Sequence, residues 1–259
     1  MNLPLIPATI QYTQSGWQPL EIAIIDEAEI GLSVNGEAWL SFLCTPFQLE
    51  ALMLGFLFNE GVIDSAEEVE LIQVCEDQTH VDIWLKHAAR KPAHWVRTSG
   101  CGEGASAASS PALPIHSSLR LDPQELLNCM EQLFQGQALY QQTRGLHCSA
   151  LSDGSQVKQI AEDLGRHNTL DKLAGLMLLE PVDCSPRIVL TTGRVSTEMV
   201  QKAARLQAEA IISRTSPTRR SATLAEALGL VLIGYARRDQ MNIYAHAERL
   251  GYFPAKRTP

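Results

Sequence analysis

Apolar and polar positions alternate along the first ninety residues in short runs, and the period then changes. Residues 30–34 and 38–43 are apolar-rich segments flanking Asn35-Gly36, a strong signal for a tight hairpin, and 20–25 is a further apolar run. Thr45-Pro46 with Gln48 predicts a helix start, Thr45 capping and Pro46 in the first turn. Leu49, Leu52, Met53, Phe56 and Leu57 then fall on one helical face that Gly61 closes. Residues 69–74 and 81–85 form another predicted strand pair. Beyond them, residues 121–140 carry Leu126, Leu127, Met130, Leu133 and Phe134 at helical spacing behind Asp122-Pro123, which predicts one helix.

After residue 150 strands and helices alternate. Strands are expected at 156–161, 187–191, 210–213, 230–234 and 242–245, with helices at 168–179, 196–207 and 221–228. That order implies an α/β layered fold with a mixed, largely parallel sheet, preceded by a smaller α+β region. The organisation expected is an N-terminal region 1–96, a cysteine-bearing loop 97–118, and a C-terminal α/β domain 119–259.

The loop RTSGCGEGASAASSPALPIHSS (97–118) has no apolar period. Glycine on both sides of Cys101 removes side-chain bulk, so a large partner can approach the sulfur. Six cysteines at 44, 75, 101, 129, 148 and 184 include no C-x-x-C pair, so neither a structural zinc site nor a thioredoxin-type pair is expected. Gly145-Leu146-His147-Cys148 sets a histidine beside a second thiol, which would assist or resolve a persulfide if it lies near Cys101.

Composition is that of a globular chain, 45% hydrophobic and 19% charged. The formal charge of -8 argues against broad nucleic-acid binding, so an anion site has to be local. The longest apolar run is too short for a membrane span and the N-terminus lacks a signal-peptide layout, so a cytoplasmic protein is expected. The first four predicted strands of the second half are each followed by arginine: Arg166, Arg194, Arg214 with Arg219 and Arg220, and Arg237 with Arg238. Ligands of open α/β sheets bind outside strand carboxyl ends. Convergence of these guanidiniums predicts a phosphate or pyrophosphate pocket. Asp163, Arg166 and His167 crowd the start of one helix and are assigned to binding rather than catalysis. No Walker loop and no G-x-G-x-x-G follows a strand, so side chains would have to do the phosphate binding.

LGFLFNEGVI (54–63), GLHCSA (145–150), EDLGRHNTLDKLAG (162–175), TGRVSTEMVQKAA (192–204) and LVLIGYARRDQMNIYAHAERL (230–250), in that order, resemble the FdhD/NarQ formate dehydrogenase accessory proteins over most of the chain. The resemblance implies a cytidine-deaminase-like fold without zinc and a cytoplasmic homodimer. It also implies a sulfur carrier taking persulfide sulfur from a cysteine desulfurase to the Mo-bis(molybdopterin guanine dinucleotide) cofactor of formate dehydrogenase. Guanine nucleotide would mimic that cofactor. Cys101 is then the carrier, and the cofactor segment is Tyr235, Ala236, Arg237, Arg238, Asp239 and Gln240, joined by Arg166, His167, Arg194 and Asp163. The sequence departs from the family in one place: its loop C-x-x-C is reduced to Cys101 with Gly104 at the second position. The alternative expectation is a chaperone that binds the molybdenum dinucleotide without moving sulfur.

Overall fold

The computed structural model describes residues 5–91, 96–97, 105–106 and 114–253. Strands β1 (Leu5–Thr13) and β2 (Gly16–Ala23) form a separate hairpin. Strands β3 (Ala28–Val34) and β4 (Glu37–Cys44) turn at Asn35-Gly36, both at positive φ, as the sequence predicts. With β5 (Val69–Val74) and β6 (His80–Leu85) they make a four-stranded sheet in the order β4-β3-β6-β5.

Helix α1 (Leu49–Asn59) begins later than expected. Thr45 does not cap it; its hydroxyl donates to Asp163, and Gln48 in the left-handed region occupies the cap. The helix is buried on all sides rather than along one stripe, from Leu52 and Met53 to Phe56 and Leu57. Each fully buried Leu or Phe contributes about 1.5–3 kcal/mol, so this short helix is the hub of the core. It crosses α4 (Arg166–Leu179) at Gly55 and Gly175. A Cβ on either glycine would overlap a backbone carbonyl of the other helix, at Asp171 or Ala51. One core cluster runs from Ile30 and Phe42 through Leu170 to Leu232, so the N-terminal region and the C-terminal domain share it.

The predicted helix over 121–140 is two helices, α2 (Pro123–Gly136) and α3 (Ala138–Thr143), broken at Gln137. Strands β9 (His147–Ser152), β10 (Val157–Asp163), β11 (Ile188–Thr191), β12 (Ala210–Ser213), β13 (Val231–Arg237) and β14 (Gln240–Ala245) form a six-stranded sheet, order β10-β9-β11-β12-β13-β14. Helices α5 (Thr197–Arg205) and α6 (Arg219–Leu228) complete the crossovers.

The sheet is mixed, and the largely parallel arrangement expected from the alternation is corrected. Only β11, β12 and β13 run parallel; β9 is antiparallel to both neighbours, and β14 to β13. Strand β9, absent from the sequence expectation, wedges between β10 and β11. No helix among the described residues is long and apolar enough to cross a membrane.

Candidate functional site

Strand directions bring one set of loops to one edge of the six-stranded sheet. There β10, β11, β12 and β13 end, and β9 and β14 begin. The edge therefore carries Arg166 after β10, His147 at the start of β9, Arg194 after β11, Arg214 after β12, and Arg237 and Arg238 in the β13–β14 turn. Strand direction thus gathers five of the seven expected arginines, while Arg219 and Arg220 open α6.

The loops are tied to one another. Tyr235 N donates to Thr215 O at 3.0 Å, Arg214 N to Thr191 O at 3.1 Å, and Val195 bridges Pro217. A register shift between Gly234 and Arg237 bends β13 where it leaves the sheet. Beyond it Arg237, Arg238, Asp239 and Gln240 line a cleft of about 1380 Å³ with Arg214. The opposite wall comes from α2 and α3. Phe134 lies under the Arg214 guanidinium at 5.1 Å, and Tyr140 and Arg144 follow the break at Gln137. Four guanidiniums on a part-aromatic cleft suit a polyanion with a planar ring.

Not every expected site residue reaches this cleft. Tyr235 is half-exposed, whereas Ala236 is buried and offers only backbone. Arg194 is exposed on the same edge. Arg166 is 9% exposed and packs along Gly193, where a Cβ would stand 2.8 Å from Arg166 Cβ. His147 is half-buried, its Nδ1 3.4 Å from Thr192 Oγ1. Burial and then the Arg166 charge hold its pKa below the usual imidazole range. His167 is buried, with Nε2 3.2 Å from Ser196 Oγ and Nδ1 3.4 Å from a Glu198 carboxylate oxygen. Burial pushes it down to about 4 against the opposing Glu198 charge. Lys202 joins Glu198 and Asp171 at 3.0 and 2.7 Å. Although burial lowers it, these carboxylates raise the Lys202 pKa overall.

Two expected roles are corrected. Asp163 is wholly buried, and its oxygens are occupied by Thr45 N and Oγ1, Lys172 Nζ, Gly165 N and Asn168 Nδ2, at 2.7–3.2 Å. It is a tie between the two halves of the chain, with no lone pair left for a cofactor. Cys148 is also fully buried, in the core layer with Leu126 and Met130, and burial raises its pKa. A thiol held protonated in an apolar layer is not poised to resolve a persulfide. Cys101 lies outside the described residues. Strands β7 (Val96–Arg97) and β8 (Ala105–Ser106) pair antiparallel, so the ends of the stretch that bears it are held side by side.

Sequence reasoning missed Arg144, Tyr140 and Gln137, because the apolar period of 121–140 runs through the break that brings them to the cleft. Among the described residues no group of three or more His, Cys, Asp or Glu side chains is arranged to hold a metal ion.

Comparison with known proteins agrees with the architecture. The model of the FdhD/NarQ family matches residues 25–251. A sulfur carrier protein FdhD from Staphylococcus haemolyticus (strain JCSC1435) is 33% identical, with 87% of this chain and 89% of that protein covered. The Bacillus subtilis (strain 168) protein of the same name is 31% identical over 93% of this chain and 95% of its own length. A crystal structure from Desulfotalea psychrophila, described as a formate dehydrogenase accessory protein, superposes with a TM-score of 0.79 at 26% identity, covering 95% of this chain and 98% of that one. The chain belongs to the FdhD/NarQ family.

Proposed function

We propose that the protein is a sulfur carrier for formate dehydrogenase maturation, in which Cys101 receives persulfide sulfur from a cysteine desulfurase and delivers it to a Mo-bis(molybdopterin guanine dinucleotide) substrate held along the arginine edge. The names of its relatives support the sulfur carrier role. The observation that carries the substrate assignment is the cleft of about 1380 Å³ with Arg214, Arg237 and Arg238 on one side and Phe134 and Tyr140 on the other. Guanidiniums pair with pyrophosphate oxygens, and aromatic rings stack on a base. The protein acts in the cytoplasm as a homodimer, on a cytidine-deaminase-like fold.

The loading step needs one thiolate. Cys101 attacks the outer sulfur of the desulfurase persulfide, a new S–S bond forms, and the desulfurase leaves as thiolate. Release as sulfide takes two electrons. With Gly104 at the family's second cysteine position and Cys148 in the core, an external low-molecular-weight thiol supplies them. Its thiolate attacks the inner sulfur, a mixed disulfide forms on Cys101, and hydrosulfide departs. In this reading His147, half-buried on the same edge with its pKa lowered by burial, accepts the proton of the incoming thiol.

Gly104 also favours a second function, a chaperone that shelters the molybdenum dinucleotide while Cys101 stands idle. Formate dehydrogenase activity in cells carrying Cys101→Ser separates the two. The carrier requires loss of activation with GDP affinity intact; activation that survives supports the chaperone and removes the carrier.

A further inference from the structure

Gln137 stands where α2 ends and α3 begins, 2% exposed, and lines the cleft between Phe134 and Tyr140. Its Nε2 is sealed from solvent and has no hydrogen-bond partner among the described residues. A buried donor without an acceptor is penalised on folding and is uncommon in native proteins. The break that puts it there is anchored: Glu162, at the end of β10, accepts from Leu139 N at 3.0 Å and Tyr140 N at 2.8 Å through its two carboxylate oxygens. Gln141 N donates to Gln137 O at 3.0 Å, closing the first turn of α3.

We propose that Gln137 reads the base of the nucleotide bound in this cleft, while Arg214, Arg237 and Arg238 hold its phosphates. This assignment rests on the nucleotide-substrate function proposed above. A carboxamide offers an acceptor beside a donor, the pattern that complements the N1–H and O6 edge of guanine. Phosphate oxygens offer acceptors only and would leave the amide oxygen unpaired. Leu127, Phe134 and Tyr140 line the same cleft as Gln137 and give it apolar and aromatic surface suited to a ring. The terminal torsion of glutamine is broad, so Nε2, turned inward in the free chain, swings to the ligand without an off-rotamer cost.

The test is calorimetric titration of the full chain with GDP and, separately, with inorganic pyrophosphate. Gln137→Leu should weaken GDP by about tenfold or more, since one of its two hydrogen bonds alone is worth about that factor, leave pyrophosphate affinity unchanged, and not lower the thermal midpoint, because an unpaired amide is replaced by an apolar group. Gln137→Met serves the same purpose if the leucine variant fails to fold. Arg237→Ala should weaken both ligands. If wild type binds GDP, Arg237→Ala weakens it and Gln137→Leu does not, the assignment of Gln137 is overturned alone. Equal weakening of GDP and pyrophosphate by Gln137→Leu, or a midpoint lowered in both Gln137→Leu and Gln137→Met, also overturns it. Wild type binding neither probe overturns the nucleotide function, and the assignment with it.

Discussion

Replacing Asp163 by asparagine removes a charge and almost no volume, and so probes how the two halves of the chain are joined. Lys172 is wholly buried, with Nζ 2.7 Å from Asp163 Oδ2, 2.8 Å from Thr45 Oγ1 and 4.0 Å from the centroid of the Phe47 ring. Burial pulls the Lys172 pKa down, and the Asp163 charge is the largest influence opposing it. Breaking a buried pair by removing one partner costs about 3–5 kcal/mol, a large part of a total stability of about 5–15 kcal/mol. Asp163→Asn should lose roughly 3 kcal/mol, since asparagine keeps one oxygen for Thr45 or Gly165. Adding Lys172→Met removes the stranded ammonium and should restore about 2 kcal/mol.

A pH signature accompanies that loss. With its folded pKa lowered, Lys172 binds fewer protons in the native chain than in the unfolded one between that value and 10.5. Stability therefore rises with pH across this window, by up to about 1.4 kcal/mol per pH unit, and Asp163→Asn extends the window downward. Urea unfolding followed by circular dichroism between pH 7 and 10 measures both effects. A single variant within about 1 kcal/mol of wild type, or a double variant as unstable as the sum of the singles, would refute the tie. The double variant should also bind GDP like wild type, because Asp163 does not reach the cleft.

Gly55→Ala pushes a Cβ into the Asp171 carbonyl and should cost about 3 kcal/mol or more; an unchanged thermal midpoint would contradict the close crossing of α1 and α4. Cys148→Ala should load sulfur and release it to an external thiol as wild type does, and lose only about 1 kcal/mol of stability; slowed release in a folded variant would restore the resolving role. His167 is held near 4 when folded against 6.5 when exposed, so the unfolded chain takes up the proton first and stability falls as pH drops from 6.5 to 4. His167→Asn should flatten that slope in urea midpoints, and an identical slope would count against a buried neutral imidazole. GDP affinity should fall with added salt, and the dependence should weaken in Arg214→Ala; salt-independent binding would exclude the guanidinium clamp.

Local chemistry made some of this legible in advance. The Asn35-Gly36 turn, the Asp122 cap with Pro123 behind it and the Gly229 stop each depend on a few adjacent residues, and each is where the sequence predicts. The arginines were legible for the same reason: each follows its own strand, and strand direction does the gathering. What depends on distant partners was hidden. Thr45 reads as a helix cap until Asp163 and Lys172 claim its hydroxyl from 118 and 127 residues away. Strand β9, HCSALS, mixes small and polar residues into a buried strand and so carries no apolar run, and without it the sheet reads as parallel. Asp163 and Cys148 sit among polar and reactive neighbours in sequence, yet both are buried, which no local pattern records.

The most direct test of the carrier function is the intact mass of the full chain after incubation with a cysteine desulfurase and cysteine, read before and after a thiol reductant. Wild type and Cys148→Ala should each gain one sulfur atom that the reductant removes, and Cys101→Ser should gain none. Equal gain on Cys101→Ser, or no gain on wild type, would contradict it.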